Sequence, residues 1–456
     1  MKRTLAEFAL ASGGRLFGPD RAYTSVSSDT RTLRGGELFV ALTGPRFNAN
    51  DFVSAAQAAG AAGALVESQQ TNASIPQIVV PDVLAALTKA ANAWREKFKR
   101  PVVGVAGSNG KTTVKEMTAA ILSQAGSTLA TKGNLNNHIG VPLTLMRLEP
   151  DQQFAVIEIG ANNPGEVAHL VKVARPTIGL ITNAGAEHLE GFGSLEGVAK
   201  AEGEMVAGLA PDATAVINAD DEFAPLWRGM TPARVSTFGI QHPADFSAAD
   251  LRTEITSDGF LTRFTLKCPL GEAPIEMRLA GRHNVLNSLA AAAAAAAAGV
   301  SLANIVAGLA TMRAVQGRLQ FKIARSGAWI IDDSYNANPS SVRAGIDVLA
   351  DLQGKRWLVL GMMGELGDFA ESSHTEMGAY ARQKGIERFF GIGQLTSLAV
   401  ESFGSGAQWF ADADSLAQAL HKEASADVRM LIKGSRSNRL ERIVDALTGV
   451  AGSSSH

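Results

Sequence analysis

The chain has 456 residues, 46% of them apolar, with 42 basic residues against 44 acidic ones and a formal net charge of −2. That length fits about three domains, and the balanced charge, with no basic cluster alternating with aromatics, leaves nucleic acid without an electrostatic claim as a partner. The single cysteine, Cys268, excludes an internal disulfide and a cysteine cluster for zinc, and suits a reducing cytoplasm.

Forty-six glycines with only 6% aromatics indicate an α/β enzyme rather than a fibrous or disordered chain. Lys2 and Arg3 precede a short apolar stretch that Glu7 interrupts, so no secretory leader is expected. No stretch has the length and apolarity of a membrane span.

In chain order, strand-like runs at 37–42, 64–67 and 77–80 surround a helical stretch at 53–62, giving a small N-terminal α/β domain over residues 1–82. A helical segment at 83–98 opens a second region, 83–314. There, strands at 102–105, 154–159, 178–182 and 214–218 alternate with helical segments, the pattern of a mostly parallel sheet with crossover helices. Runs at 264–268 and 275–279 are expected as an antiparallel addition, and the nine alanines at 290–298 as a helix packed closely on a sheet. Residues 315–318 break the helical pattern. A third α/β unit, 315–456, follows with strands at 329–331, 356–360, 388–391 and 430–432; its tail, 452–456, is expected to be disordered.

The most informative segment is Ala106-Gly107-Ser108-Asn109-Gly110-Lys111-Thr112-Thr113, which lies between the strand at 102–105 and a helical run at 114–122. Glycines let backbone N–H groups close around phosphate oxygens at a helix N-terminus, Lys111 adds a point charge, and the Thr112 hydroxyl can ligate Mg²⁺. The full Walker spacing would need a glycine where Val105 stands, so Gly107 begins a shorter G-x-x-G-K-T loop.

Chemistry in such sheets gathers at the carboxyl ends of strands. Glu158 is a carboxylate in an apolar strand, and burial requires it to be paired or bound to a cation. His188 follows the strand at 178–182 and reads either as a metal ligand or as a loop histidine. Of the adjacent Asp332 and Asp333, one is expected to face solvent and the other to accept bonds from ribose hydroxyls. Asn284 and Asn287 open the alanine helix, where capping is a competing role. Lys433 and Arg436 offer two cations at a turn, suited to a carboxylate or phosphate.

These segments together resemble the Mur ligases of peptidoglycan synthesis, over nearly the whole chain. The resemblance rests on Ser28-Asp29-Thr30-Arg31, the loop from Gly107 to Thr113, the asparagine-rich stretch around Asn136 and Asn137, Glu158, Gly281-Arg282-His283-Asn284, Asp333 through Asn336 and Asn338, and Lys433-Gly434-Ser435-Arg436. The short phosphate loop is shared with folylpolyglutamate synthases; the asparagine-rich and 333–339 segments are more specific. No Asp-Asn-Pro-Arg-like segment marks the sister ligase that adds the third peptide residue, and a nucleotide-gated regulatory protein would not need an acyl-phosphate site.

The resemblance implies a cytoplasmic monomer of three domains: an N-terminal one for a uridine nucleotide, a central ATPase, and a Rossmann-like C-terminal one. The implied reaction joins D-alanyl-D-alanine to UDP-N-acetylmuramoyl-tripeptide with ATP and Mg²⁺, through an acyl phosphate. Lys111 would neutralise phosphates, and Thr112, Glu158 and His188 would hold metal. Gly107, Ser108, Asn109, Gly110 and Thr113 would complete the ATP cradle. Asn284 and Asn287 would read adenine, Asp333 ribose and Arg318 phosphates. Ser28, Asp29, Thr30 and Arg31 would meet the uridine nucleotide, Asn136 and Asn137 the substrate beyond it, and Asn336, Asn338, Lys433, Ser435 and Arg436 the peptide side.

Two positions depart from the family pattern. Where relatives carry a lysine carbamylated by CO₂, this chain has Glu202, expected to supply a built-in carboxylate; Lys200 is about 200° away around a helix and pairs by spacing with Glu196. Met362 stands where relatives usually show aspartate.

Overall fold

The computed structural model describes residues 3–44, 47–185, 189–256 and 259–449. Three large sheets follow one another along the chain. The first has the order Arg15–Phe17, Gln77–Val79, Gly63–Val66, Leu38–Val40, Val26–Ser27, parallel except for Arg15–Phe17. Its three central strands are those expected, two of them shortened at their ends and Gly63–Val66 shifted by one residue, and the expected helix at 53–62 is confined to Val53–Ala58 after a turn of 3₁₀ helix, Ala49–Phe52.

The second sheet is wholly parallel, in the order Arg234–Phe238, Thr214–Asn218, Ile178–Ile181, Val102–Ala106, Phe154–Glu158, Thr128–Ala130. Every residue of Val102–Ala106 and Phe154–Glu158 is buried, which explains why these runs read as continuous apolar stretches rather than alternating ones. One face carries the helices Glu166–Ala174 and Leu195–Ala207; the other carries Lys111–Ser123 and the alanine helix, Arg282–Ala297. Ala290 to Ala295 are all buried, because a methyl group is the largest side chain that allows so close an approach to both the sheet and the neighbouring helix. The antiparallel addition has three strands, Ser247–Thr256, Gly259–Cys268 and Gly271–Met277.

The third sheet runs Gln320–Ile323, Trp329–Asp333, Val428–Lys433, Lys355–Gly361, Arg388–Ile392, Ala407–Phe410, with only its first strand antiparallel. The four expected strands are its four inner members, and the two edge strands, Gln320–Ile323 and Ala407–Phe410, were not expected. The carboxyl ends of the second and third sheets open onto a shared cavity. Among the described residues no helix is long and apolar enough to cross a membrane. The expected disordered tail lies outside the described residues, as does His188.

Candidate active site

The phosphate loop begins where the strand Val102–Ala106 ends. Gly107 and Gly110 have φ of 119° and 84°, a region that side chains disfavour, and each also lacks room for one. A Cβ on Gly107 would lie 2.1 Å from Thr182 Oγ1, and one on Gly110 would lie 2.5 Å from Asn287 Oδ1.

The loop is held from the adjoining strand end. Ser108 N–H donates to the Asn183 carbonyl at 2.9 Å, Asn109 N–H to Asn183 Oδ1 at 3.0 Å, and Asn183 Nδ2 returns a bond to the Asn109 carbonyl at 3.0 Å. Ser108 Oγ accepts from Gly185 N–H at 2.8 Å. The Lys111 ammonium folds back on the carbonyls of Gly107 and of Ser108, the latter at 2.9 Å. Thr113 closes the first turn of the helix and is buried.

Glu158 lies at the end of the next strand, 2% exposed. Its Oε1 accepts from the Thr112 hydroxyl at 3.2 Å and from Asn136 Nδ2 at 2.9 Å, and its own N–H donates to Thr131 Oγ1 at 3.0 Å. Its buried Oε2 has no hydrogen-bond partner. A buried carboxylate oxygen without a donor is costly, and next to a hydroxyl it forms the hard-oxygen donor set that suits Mg²⁺.

Loop, carboxylate and asparagines wall a cavity of about 660 Å³ whose other side comes from the C-terminal unit. Arg318 donates to Thr112 Oγ1 at 3.3 Å while its guanidinium lies 4.5 Å from the Tyr335 ring centre. Asn338 Nδ2 donates to Asn109 Oδ1 at 2.8 Å, and Asn109 Nδ2 donates to Ser340 Oγ at 2.9 Å, so the phosphate loop touches the third sheet's layer directly. Asn136, Asn137, Asn284, Asn287, Asp333, Asn336 and Lys433 also line the cavity.

Several expectations need correction. Asp332 and Asp333 are both buried; Asp332 pairs with Lys322 at 2.8 Å, and Asp333 accepts from Lys433 Nζ at 2.6 Å and from Leu319 N–H at 3.2 Å. Adjacent strand residues normally face opposite ways, but here both faces of the sheet are covered. Neither asparagine caps the alanine helix: its cap residue is Gly281, while Asn284 Nδ2 donates to the Ala280 carbonyl at 2.7 Å and Asn287 Nδ2 to Asn284 Oδ1 at 3.2 Å.

Lys433 and Arg436 do not form one anion site. Lys433 is buried on Asp333, whereas Arg436 pairs with Glu441 at 3.1 Å and Ser435 meets Ser437 Oγ at 3.1 Å. Ser28, Asp29, Thr30 and Arg31 stay with the first sheet, away from the cavity lining. There Arg31 Nε donates to Asp29 Oδ1 at 2.9 Å, and that hydrogen bond holds the Asp29 carboxyl below its ordinary range.

Glu202 is buried in the helix Leu195–Ala207, and its Oε2 accepts the Gly107 N–H at 2.6 Å. Lys200 points away, 60% exposed and 2.8 Å from Glu196. Asn183 and Lys115, both structurally central, were not singled out as site residues; only the position of Asn183 just past a strand end could have marked it. His283, also in the cavity wall, is pushed down to about 4 by burial and is neutral at ordinary pH.

Residues 105–295 match the Mur ligase middle domain, and residues 317–436 match the Mur ligase glutamate ligase domain. The chain is 44% identical over 448 residues, 97% of its own length and 98% of the relative's, to the UDP-N-acetylmuramoyl-tripeptide--D-alanyl-D-alanine ligase of Escherichia coli K12. Among solved structures, a crystal structure of MurF from Acinetobacter baumannii superposes with TM-score 0.91 at 33% identity, covering 98% of this chain and 99% of that one. MurF ligase from Thermotoga maritima in complex with ADP follows with TM-score 0.80 at 26% identity, covering 93% and 97%.

Proposed function

Because this chain belongs to the Mur ligase family, we propose that the cavity between the second and third sheets is where ATP activates a peptide carboxylate for coupling to an amine. The chain is an ATP-dependent ligase that adds D-alanyl-D-alanine to UDP-N-acetylmuramoyl-tripeptide in peptidoglycan synthesis. Residues 1–82 take the uridine nucleotide, 83–314 hold ATP, and 315–456 bring the acceptor side. The protein works as a cytoplasmic monomer.

A carboxylate resists attack because its carbonyl is electron-rich and oxide is a poor leaving group; phosphorylation removes both obstacles. A carboxylate oxygen of the tripeptide attacks the γ-phosphorus, the bond from that phosphorus to ADP breaks, and an acyl phosphate forms. The neutral amine of D-alanyl-D-alanine then attacks the acyl carbon, the carbon–oxygen bond to phosphate breaks, and the amine loses a proton. Phosphoryl transfer asks the protein mainly for position and charge.

Backbone N–H groups from Gly110 through Thr113, at the start of the helix, accommodate the phosphates, and Lys111 exchanges its contacts with loop carbonyls for phosphate oxygens. Arg318 adds a second cation from the opposite wall. Asn284 and Asn287 face the adenine, Asp333 the ribose, and Asn136 and Asn137 the muramoyl-peptide side, with Asn336 and Asn338 across from them. The first-sheet segment from Ser28 to Arg31 meets the uridine nucleotide. Glu202 keeps the loop's first glycine in place.

Thr112 and Glu158 would hold Mg²⁺, which when bound supplies charge neutralisation at the transferred phosphoryl group. Substrate phosphates would complete its coordination, since Mg²⁺ is usually bound through one or two carboxylates plus phosphates.

The observation that carries this reading is the convergence of Thr112, Asn136 and the Glu158 oxygen that no hydrogen-bond donor reaches, at the mouth of the phosphate loop. Phosphate release from ATP should require both UDP-N-acetylmuramoyl-tripeptide and D-alanyl-D-alanine together. Steady turnover with either one absent would contradict a ligase.

A further inference from the structure

Lys115 is an ionic side chain that the mechanism above leaves without a task. It lies on the helix Lys111–Ser123, one turn past Thr112, and is completely buried. Its ammonium donates to the Thr131 carbonyl at 2.9 Å, lies 2.7 Å from Glu116 Oε1, and stands 3.8 Å from Glu158 Oε2. That last oxygen is the one with no hydrogen-bond partner. A buried lysine within reach of the metal carboxylate is a hazard, since an ammonium can occupy the place of the cation. Yet it stands beyond hydrogen-bond distance, drawn toward Glu116, whose side chain is 42% exposed at the rim of the helix.

We infer that Glu116 tunes the Mg²⁺ affinity of the site by holding the Lys115 ammonium off Glu158. The Lys115–Glu116 pair is close to neutral as a unit, so Glu158 keeps an open oxygen for the metal, and the Thr131 carbonyl fixes the ammonium's other contact. Glu116 is thereby a positioning residue acting through Lys115. If its charge is removed, the ammonium keeps only one carboxylate within reach, and both consequences have the same sign: Lys115 competes for Glu158, and an uncompensated positive charge sits beside the arriving cation. This inference rests on Thr112 and Glu158 being the Mg²⁺ ligands.

The test is E116Q, checked for an intact fold by circular dichroism because it takes a carboxylate from the buried Lys115, followed by K115M/E116Q, which removes the pair as a neutral unit. Binding of a fluorescent ADP is titrated with Mg²⁺ and again in EDTA. In E116Q the Mg²⁺ concentration for half-maximal binding should rise roughly tenfold, with affinity in EDTA unchanged and kcat at saturating Mg²⁺ close to that of the parent protein. In K115M/E116Q the Mg²⁺ requirement should return to within about twofold of the parent, one unit charge having been removed with its opposite. An E116Q protein with an unaltered Mg²⁺ requirement overturns the inference, as does a folded double variant no better than E116Q. If nucleotide binding by the parent protein ignores Mg²⁺, the metal reading falls and this inference with it.

Discussion

Glu202 and Lys200 lie two residues apart on one helix, and their surroundings differ completely. Glu202 is buried on the Gly107 N–H, while Lys200 lies in solvent beside Glu196. If Glu202 is the built-in carboxylate, no carbamate is needed in its place. Lys200→Ala should keep activity within about twofold, since exposed helix pairs contribute little, and CO₂-depleted buffer should leave turnover unchanged. Glu202→Gln should lower kcat by roughly tenfold or more through loss of a charge-assisted bond to the loop. Loss of activity on CO₂ depletion, restored by bicarbonate, would contradict this assignment. Lys433→Met should destabilise the fold by about 3–5 kcal/mol in urea titrations because Asp333 is left buried without its counterion, and D333N/K433M should recover much of that loss. At this scale the sequence disclosed residue types better than partners. Glu158 was identifiable as a carboxylate in an apolar strand, but the burial of both Asp332 and Asp333 depended on Lys322 and Lys433, the latter a hundred positions away from Asp333.

Among the elements, the helix Leu302–Thr311 packs on the phosphate-loop helix through Gly308, where an added Cβ would lie 2.4 Å from Ile121 Cα. Gly308→Ala should force the two helices apart and cost about 1–3 kcal/mol in urea unfolding; an unchanged midpoint would show that the contact gives way easily. In the C-terminal unit, His374 ties the turn after the strand Lys355–Gly361 to the helix Ala370–Gln383. Its Nε2 accepts the Met363 N–H at 3.0 Å while Nδ1 meets the Ala370 carbonyl at 2.7 Å, which requires a neutral ring. Burial lowers its pKa below the ordinary value. Its folded pKa being the lower one, stability should be intact above about pH 6.5 and decline with one proton's slope as pH falls through the folded value. His374→Gln should remove that part of the slope in pH-resolved melts. Strands buried on both faces were legible as unbroken apolar runs, whereas Ser247–Thr256 was not: its register shifts between Ala249 and Arg252, with Asp250 at φ 56°, and the bulge erases the alternation that marks an exposed strand.

Over the whole molecule, the site is an interface between layers that sequence order keeps far apart. Asn109 reaches Asn338 and Ser340 across more than two hundred positions, and Arg318 reaches Thr112 similarly. The loop's shape and its helix could be read locally, because glycine conformation and strand-to-helix order are local properties. The cavity's second wall could not, since it depends on how two sheets meet. With ATP contacts divided between those walls, nucleotide should favour the closed arrangement, and the activated acid should form where water has least access. The chemistry itself is tested most directly by coupling with UDP-N-acetylmuramoyl-tripeptide labelled with oxygen-18 in its reacting carboxylate, and following the released phosphate by phosphorus NMR. An acyl phosphate carries one carboxylate oxygen away with the phosphoryl group, so each phosphate released should contain a single atom of the label. Unlabelled phosphate, formed at the same rate as product, would contradict activation of the acid by ATP.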